Sequence, residues 1–255
     1  MKDIHHLLSI IFLLTSLTSY SASAKTENID LNQKNPSIDH SAFNNLLQTF
    51  VASNGSVNYA GLSKNKNALK NYISYLTKVD PTNLSRNEKL AYWINAYNAL
   101  TLDQIITNYP TTSILKIANG KVWEQTLTYQ FNGKNITLDQ IEKRILLGSD
   151  LFDARIHFSV NCAAISCPKL SNKAFTADNV QSMLTQNTVA ALANPSQNKI
   201  ATGKASISRL FDWYKADFEK SEGTVINFIN KYSSIKLNSN TKINYLEYNW
   251  NLNGK

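Results

Sequence analysis

The chain has 255 residues, 43% of them hydrophobic and 17% charged, with 26 Lys and Arg against 18 Asp and Glu. That composition excludes a disordered tail, a collagen-like repeat and a polytopic membrane protein, and the length is enough to bury a sizeable core. The net charge of +8 is carried by lysine, since only Arg86, Arg144, Arg155 and Arg209 are arginine. Scattered lysines among Asn and Ser lack the arginine forks and clustered stripes of a nucleic-acid reader, so they read as a solvated exterior.

Residues 1–24 (MKDIHHLLSIIFLLTSLTSYSASA) carry a basic start, an apolar run from Leu7 to Leu17 and a small-residue Ala22-Ser23-Ala24 end. This is the pattern of a cleaved secretory signal, which predicts a periplasmic or secreted protein with no integral membrane segment after cleavage. Residues 25–39 are polar and read as a flexible mature N-terminus, and 40–253 as a single domain. Ile38 to Val51 read as a first helix on the spacing of Phe43, Leu46, Leu47 and Phe50. Gly55 to Tyr59 read as a turn leading into an extended piece, and residues 65–78 as a second helix.

The clearest helix follows Asp80-Pro81, with Ser85 and Glu88 spaced as a capping box. Leu90, Trp93, Ile94, Tyr97, Thr101 and Ile105 then form one apolar face, and Pro110 stops the helix. Asn95 and Asn98 sit inside it. Asparagine is a poor helix former, so two in mid-helix point to a use for their amides. Val122 to Phe131 alternate as a half-buried strand, Asn132-Gly133 marks a hairpin, and Thr137 with Gln140 forms another capping box opening a helix through Leu147. Asp153 to Val160 read as a strand. A helix at 176–193, a strand at 199–207, an aromatic helix at Phe211–Phe218, a helix at 223–232 and a strand at 241–248 complete the chain. The fold class is α+β, mostly helical, with a small antiparallel sheet.

Chemistry concentrates in one segment. His5 and His6 leave with the signal, and His40 reads as an exposed surface histidine. That leaves His157, and both cysteines of the chain, Cys162 and Cys167, lie within ten residues of it. An extended run from His157 to Cys162 would span about 16 Å, so they meet only if the chain turns between them. A reversal near Cys162 makes Cys167 an equally good partner. Three readings stay open. His157 activates a cysteine thiolate; the cysteines form a disulfide worth about 2 kcal/mol in an oxidising compartment; or the three residues ligate zinc with one position open. Arg155, two residues before His157, shares its face if the segment is a strand. Glu142 sits on the helix feeding it, and an Arg155–carboxylate pair would tie helix to strand.

Several blocks then resemble one family. Ala91-Tyr92-Trp93-Ile94-Asn95-Ala96-Tyr97-Asn98-Ala99-Leu100-Thr101-Leu102, Thr137 to Glu142, Asp153 to Phe158, Asn161-Cys162 and Ser166-Cys167-Pro168 are similar to hallmark blocks of the domain of unknown function 547 family. Val57-Asn58-Tyr59 resembles its opening motif. Tyr245 to Asn253 resembles its closing block, with Asn249 where Asp is common. The resemblance implies a shared fold and an envelope or secreted location. It marks Trp93, Asn95, Tyr97, Asn98, Glu142, Arg155, His157, Cys162, Ser166 and Cys167 as motif positions.

Two functions follow as expectations. The first is a thiol-dependent hydrolase or transferase, with Cys167 or Cys162 as nucleophile, His157 as base, Asn98 or Glu142 orienting it, and Trp93, Asn95, Tyr97, Arg155 and Ser166 binding substrate. The alternative is a non-catalytic peptide- or glycan-binding envelope module whose rim is stiffened by a Cys162–Cys167 disulfide. Neither calls for a cofactor, and the partner is an unidentified small molecule, peptide or glycan, not a nucleic acid. Phe211, Trp213 and Tyr214 have stripe spacing that reads as core packing rather than groove lining.

Overall fold

Helix α4 (Arg86–Thr107) is the spine of the structure, a computed structural model that describes residues 38–255. The expected secretory signal 1–24, and the polar stretch as far as residue 37, lie outside the described residues. The capping box that starts α4 forms as the spacing requires: Glu88 N–H donates to Ser85 Oγ at 3.3 Å, and Ser85 N–H donates to Glu88 Oε2 at 2.8 Å. Every residue from Leu90 to Asp103 is buried, not only the predicted apolar face. A helix enclosed on all sides turns its polar side chains into the protein, and Asn95 and Asn98 find backbone partners there.

Helices α1 (Ser41–Phe50), α2 (Tyr59–Lys64) and α3 (Lys66–Leu76) pack with α4 around the larger of two hydrophobic clusters. Two expectations need correcting here. Tyr59 starts a helix, not an extended piece, because the Asn58 side chain accepts from Gly61 N–H and caps it. His40, just before α1, is buried, not exposed: its Nδ1 is 2.8 Å from the Tyr72 hydroxyl of α3.

The hairpin of β1 (Gln130–Phe131) and β2 (Lys134–Asn135) turns at Asn132-Gly133, with φ of +49° and +70°. The strand expected over 122–131 reduces to these last two residues. Turns at Lys121 take up the preceding backbone, where both Glu124 and Gln125 donate to the Lys121 carbonyl. Thr137 and Gln140 exchange the expected reciprocal bonds and open a π-helix, Gln140–Leu146.

The strand expected at 153–160 is a 3-10 helix, Ala154–Phe158. Asp153 decides this: its Oδ1 accepts from Arg155 N–H at 3.0 Å and winds the chain inward. Arg155 and His157 therefore do not share a strand face. After α5 (Val180–Ala193), β3 (Lys199–Ala201) and β4 (Lys204–Ile207) pair antiparallel, and β4 pairs parallel with β5 (Lys242–Tyr245). Beside the small antiparallel hairpin there is thus a mixed three-stranded sheet. The parallel pair needs a crossover, which α6 (Leu210–Trp213), α7 (Lys215–Glu222) and α8 (Val225–Tyr232) supply. This crossover breaks the single aromatic helix expected over Phe211–Phe218 into two at Tyr214. Phe158, Phe211, Phe218 and Phe228 build the second hydrophobic cluster, with ring centroids 4.6–6.2 Å apart.

Residues beyond β5 run back across the first cluster. Asn251 bridges to Ser113, Leu252 to Ala164 and Gly254 to Val57. Among the described residues no helix is long and apolar enough to cross a membrane.

Candidate active site

The loop from Ser159 to Cys167 is held from two directions. From below, Asn98 of α4 clamps its backbone: Nδ2 donates to Ser159 O and Oδ1 accepts from Asn161 N–H, both at 2.9 Å. Asn161 is itself buried and donates to Pro168 O at 2.8 Å, while its Oδ1 accepts from Ala163 N–H at 2.9 Å. Ala163 takes φ +59°, which turns the chain back on itself. From the other side the 249–253 segment pairs with the loop, with Ile165 N–H on Asn251 O and Asn249 N–H on Ser166 Oγ.

This reversal folds Cys167 onto Cys162. Cys162 N–H donates to Cys167 Sγ at 3.0 Å, and Gln197 Nε2 fixes the Cys167 carbonyl at 2.6 Å. Both cysteines are free thiols, so the disulfide of the binding-module reading is not formed. They are unequal. Cys167 is 5% exposed, and burial pushes its thiol well above the usual range. Cys162 is part-exposed; hydrogen bonding from Cys167, against burial, and from the Tyr248 hydroxyl at 3.1 Å holds its thiol below that range.

A cavity of about 250 Å³ opens onto both thiols, and His157, Glu142 and Tyr97 share its lining. His157 is 2% exposed, its Nε2 lies 2.9 Å from Asp217 Oδ2, and its ring packs on Tyr214 at 4.0 Å between centroids. Glu142, also buried, accepts from the Tyr97 hydroxyl at 2.9 Å and the Tyr214 hydroxyl at 2.7 Å, and Trp123 Nε1 donates to the Tyr97 oxygen. Burial and then the Glu142 charge push the Tyr214 hydroxyl far above its ordinary value, so it stays a donor. The remaining wall is aromatic: Trp213 lies 5.8 Å from Trp250 and 4.8 Å from Tyr248.

The residues singled out from sequence therefore divide. His157, Cys162, Cys167, Glu142 and Tyr97 meet at the cavity. Asn98 and Ser166 act one step back, on the loop backbone. Neither Asn98 nor Glu142 is the hydrogen-bond partner of His157; Asp217 is. Asn95 clamps Phe175 by both its N–H and its carbonyl, at 3.0 and 2.8 Å. Trp93 packs on Phe131, 5.6 Å between centroids, away from the thiols. Arg155 turns to Asp153, Gln181 and Thr185, so it ties the 3-10 helix to itself and to α5, with no link to Glu142. Sequence reasoning missed Asp217 and Tyr248, and put Trp213 and Tyr214 in the core, whereas Trp213 is 48% exposed. Among the described residues no group of three His, Cys, Asp or Glu side chains converges as a metal site.

Residues 81–190 match the family model described as "Protein of unknown function, DUF547", a span that includes α4, Glu142 and the whole His157–Cys167 loop. The match is shorter than the 40–253 over which the motifs read, and Asp217, Tyr214 and Tyr248 lie beyond it. No curated protein and no solved structure matches the chain.

Proposed function

We propose that this chain, which carries the DUF547 family domain over residues 81–190, is a thiol-dependent hydrolase or transferase with Cys162 as its nucleophile and His157 as its acid–base group. One observation carries the reading. The thiol held below its ordinary range lines the same cavity as the imidazole, whose Nε2 is engaged by a carboxylate.

Asp217 on Nε2 favours the tautomer with its proton there, leaving Nδ1 as the nitrogen for proton exchange with the cavity. The thiolate attacks an electrophilic carbonyl carbon, forming a C–S bond and an oxyanion. The imidazole, carrying the proton taken from the Cys162 thiol, passes it to the leaving group as the old bond breaks. The neutral ring then takes a proton from water or an acceptor nucleophile, whose attack frees Cys162. Cys167 keeps its proton and supports the Cys162 thiolate by hydrogen bonding.

Iodoacetamide labelling of the native protein, read by intact mass, tests this. A single fast label that is lost in Cys162→Ser and slowed at least tenfold in His157→Ala is expected. Native Cys162 labelling no faster than in the denatured chain, or indifferent to His157→Ala, refutes it. The aromatic wall favours the second reading, a peptide- or glycan-binding module; ligand binding that survives loss of both cysteines, with an inert Cys162, would put that reading first. A periplasmic or secreted location is proposed from residues 1–24, and recovery of the protein uncleaved in the cytoplasmic fraction would count against it.

A further inference from the structure

The charge of the cavity is opposite to that of the chain. The protein as a whole carries +8, yet the cavity lining holds Glu124, Asp139 and Glu142 against Lys143 and the imidazole of His157, which is engaged by Asp217. Lys143 is spent on Asp139, 2.6 Å away. Glu142 is 6% exposed, and among the described residues its side chain meets the hydroxyls of Tyr97 and Tyr214 alone. Among the described residues no lysine, arginine or histidine pairs with it. A buried carboxylate without a cation is electrostatically incomplete. Each of its oxygens accepts one tyrosine hydroxyl, and each keeps a further acceptor position. Trp123, Trp213, Tyr248 and Trp250 line the same cavity, and aromatic rings sharing a cavity with a carboxylate attract ammonium groups.

We infer that this cavity takes a primary alkylammonium group of the substrate, with Glu142 accepting its N–H hydrogens and the tryptophans covering its methylenes. The inference deepens the thiol-enzyme reading by naming a substrate group for the same cavity, but binding itself needs no thiol chemistry. A primary ammonium suits the site better than a quaternary one because only the former can donate to Glu142. A neutral alcohol of the same length meets the aromatic walls and leaves the charge unanswered.

The test is a titration of the full chain bearing Cys162→Ser with n-butylammonium chloride, followed by tryptophan fluorescence at constant ionic strength. Saturable quenching is expected from n-butylammonium and none from sodium chloride. Binding of n-butanol and of tetramethylammonium is expected to be at least tenfold weaker. Glu142→Gln is expected to raise the Kd at least tenfold. Should that variant fail to fold, Trp213→Leu, at an exposed position of the wall, is expected to weaken binding severalfold. No saturable signal, equal binding of n-butanol, or an unchanged Kd in the folded variant examined overturns the inference. Thiol labelling of the unsubstituted chain separates the two readings. Absent ammonium binding with a fast, His157-dependent Cys162 overturns this inference alone, whereas ammonium binding beside an inert Cys162 sustains it and overturns the thiol reading alone.

Discussion

Replacing Asn98 by alanine should remove the support on which the Cys162 loop rests. The amide makes two bonds of 2.9 Å to loop backbone, and its removal strands the Ser159 carbonyl and the Asn161 N–H in a region where Asn98 and Asn161 are each 3% exposed. Each buried group left unsatisfied costs about 1–3 kcal/mol, and the better helix propensity of alanine returns about 0.5 kcal/mol. The net loss is about 2–5 kcal/mol, which for a protein of this size lowers Tm by about 4–20 °C. Urea unfolding of Asn98→Ala measures the loss, and Asn108→Ala, an exposed asparagine at the end of the same helix, serves as the control and should change stability by less than about 0.5 kcal/mol. The rate of native Cys162 alkylation is read alongside, since a freed loop loses the Cys167 contact that activates the thiol. A stability loss below about 1 kcal/mol, or a large loss with unaltered Cys162 reactivity, would refute the argument that Asn98 positions the Cys162 loop.

Three further outcomes follow. Cys167→Ala removes the leading cause of the low Cys162 thiol pKa, so the midpoint of its alkylation against pH should move upward, while Cys167→Ser, which restores a donor, should recover part of the shift; an unmoved midpoint in Cys167→Ala contradicts the assignment. Burial lowers His40 from 6.5 to about 4, so the folded state holds it neutral while the unfolded chain takes up the proton below about 6.5. Stability present above pH 6.5 is therefore lost as pH falls towards 4, by roughly 3 kcal/mol in all, and urea midpoints at pH 7 and 5 should differ less in His40→Gln than in the parent chain. A methyl group at Gly254 would lie 1.9 Å from the Val57 carbonyl oxygen, so Gly254→Ala should cost about 1–3 kcal/mol by parting the 249–254 segment from Val57; calorimetry showing an unchanged Tm would oppose this.

Local chemistry was legible wherever a few neighbouring residues decide the outcome. The Ser85/Glu88 and Thr137/Gln140 boxes and the Asn132-Gly133 turn are self-contained, and each formed as its spacing dictates. Asn95 and Asn98 were visible as anomalies in a strong helix, but the backbone each one clamps lies some 60 to 80 positions away. The segment 153–160 was misread because a single side-chain bond from Asp153 outweighed its strand-like alternation. His40 was misplaced because no local feature reveals the Tyr72 hydroxyl that awaits it. Of the site, the His157–Cys167 half announced itself by the scarcity of His and Cys. The Tyr214, Asp217 and Tyr248 half did not. Aromatic stripe spacing looks the same whether the stripe is buried or faces a cavity, and Asp217 gains meaning only when α7 is laid against the 3-10 helix.

The pairing of the 249–253 segment with the cysteine loop also orders events in time. Contacts that register Ser166 and Asn161 come from residues 83 and 92 positions further along. During synthesis both thiols therefore emerge on a loop whose outer brace has not yet been made. Until it arrives, Tyr248 cannot reach Cys162, and the sulfurs are open to oxidation, exchange with other thiols or capture by a chaperone. Long-range closure of this kind forms late. The cysteine loop thus reaches its final bracing only with the finished chain, and a protein clipped before residue 249 would keep the Asn98 clamp and the Cys162–Cys167 contact but lose the bonds from Asn249, Asn251 and Asn253 that hold the loop from outside.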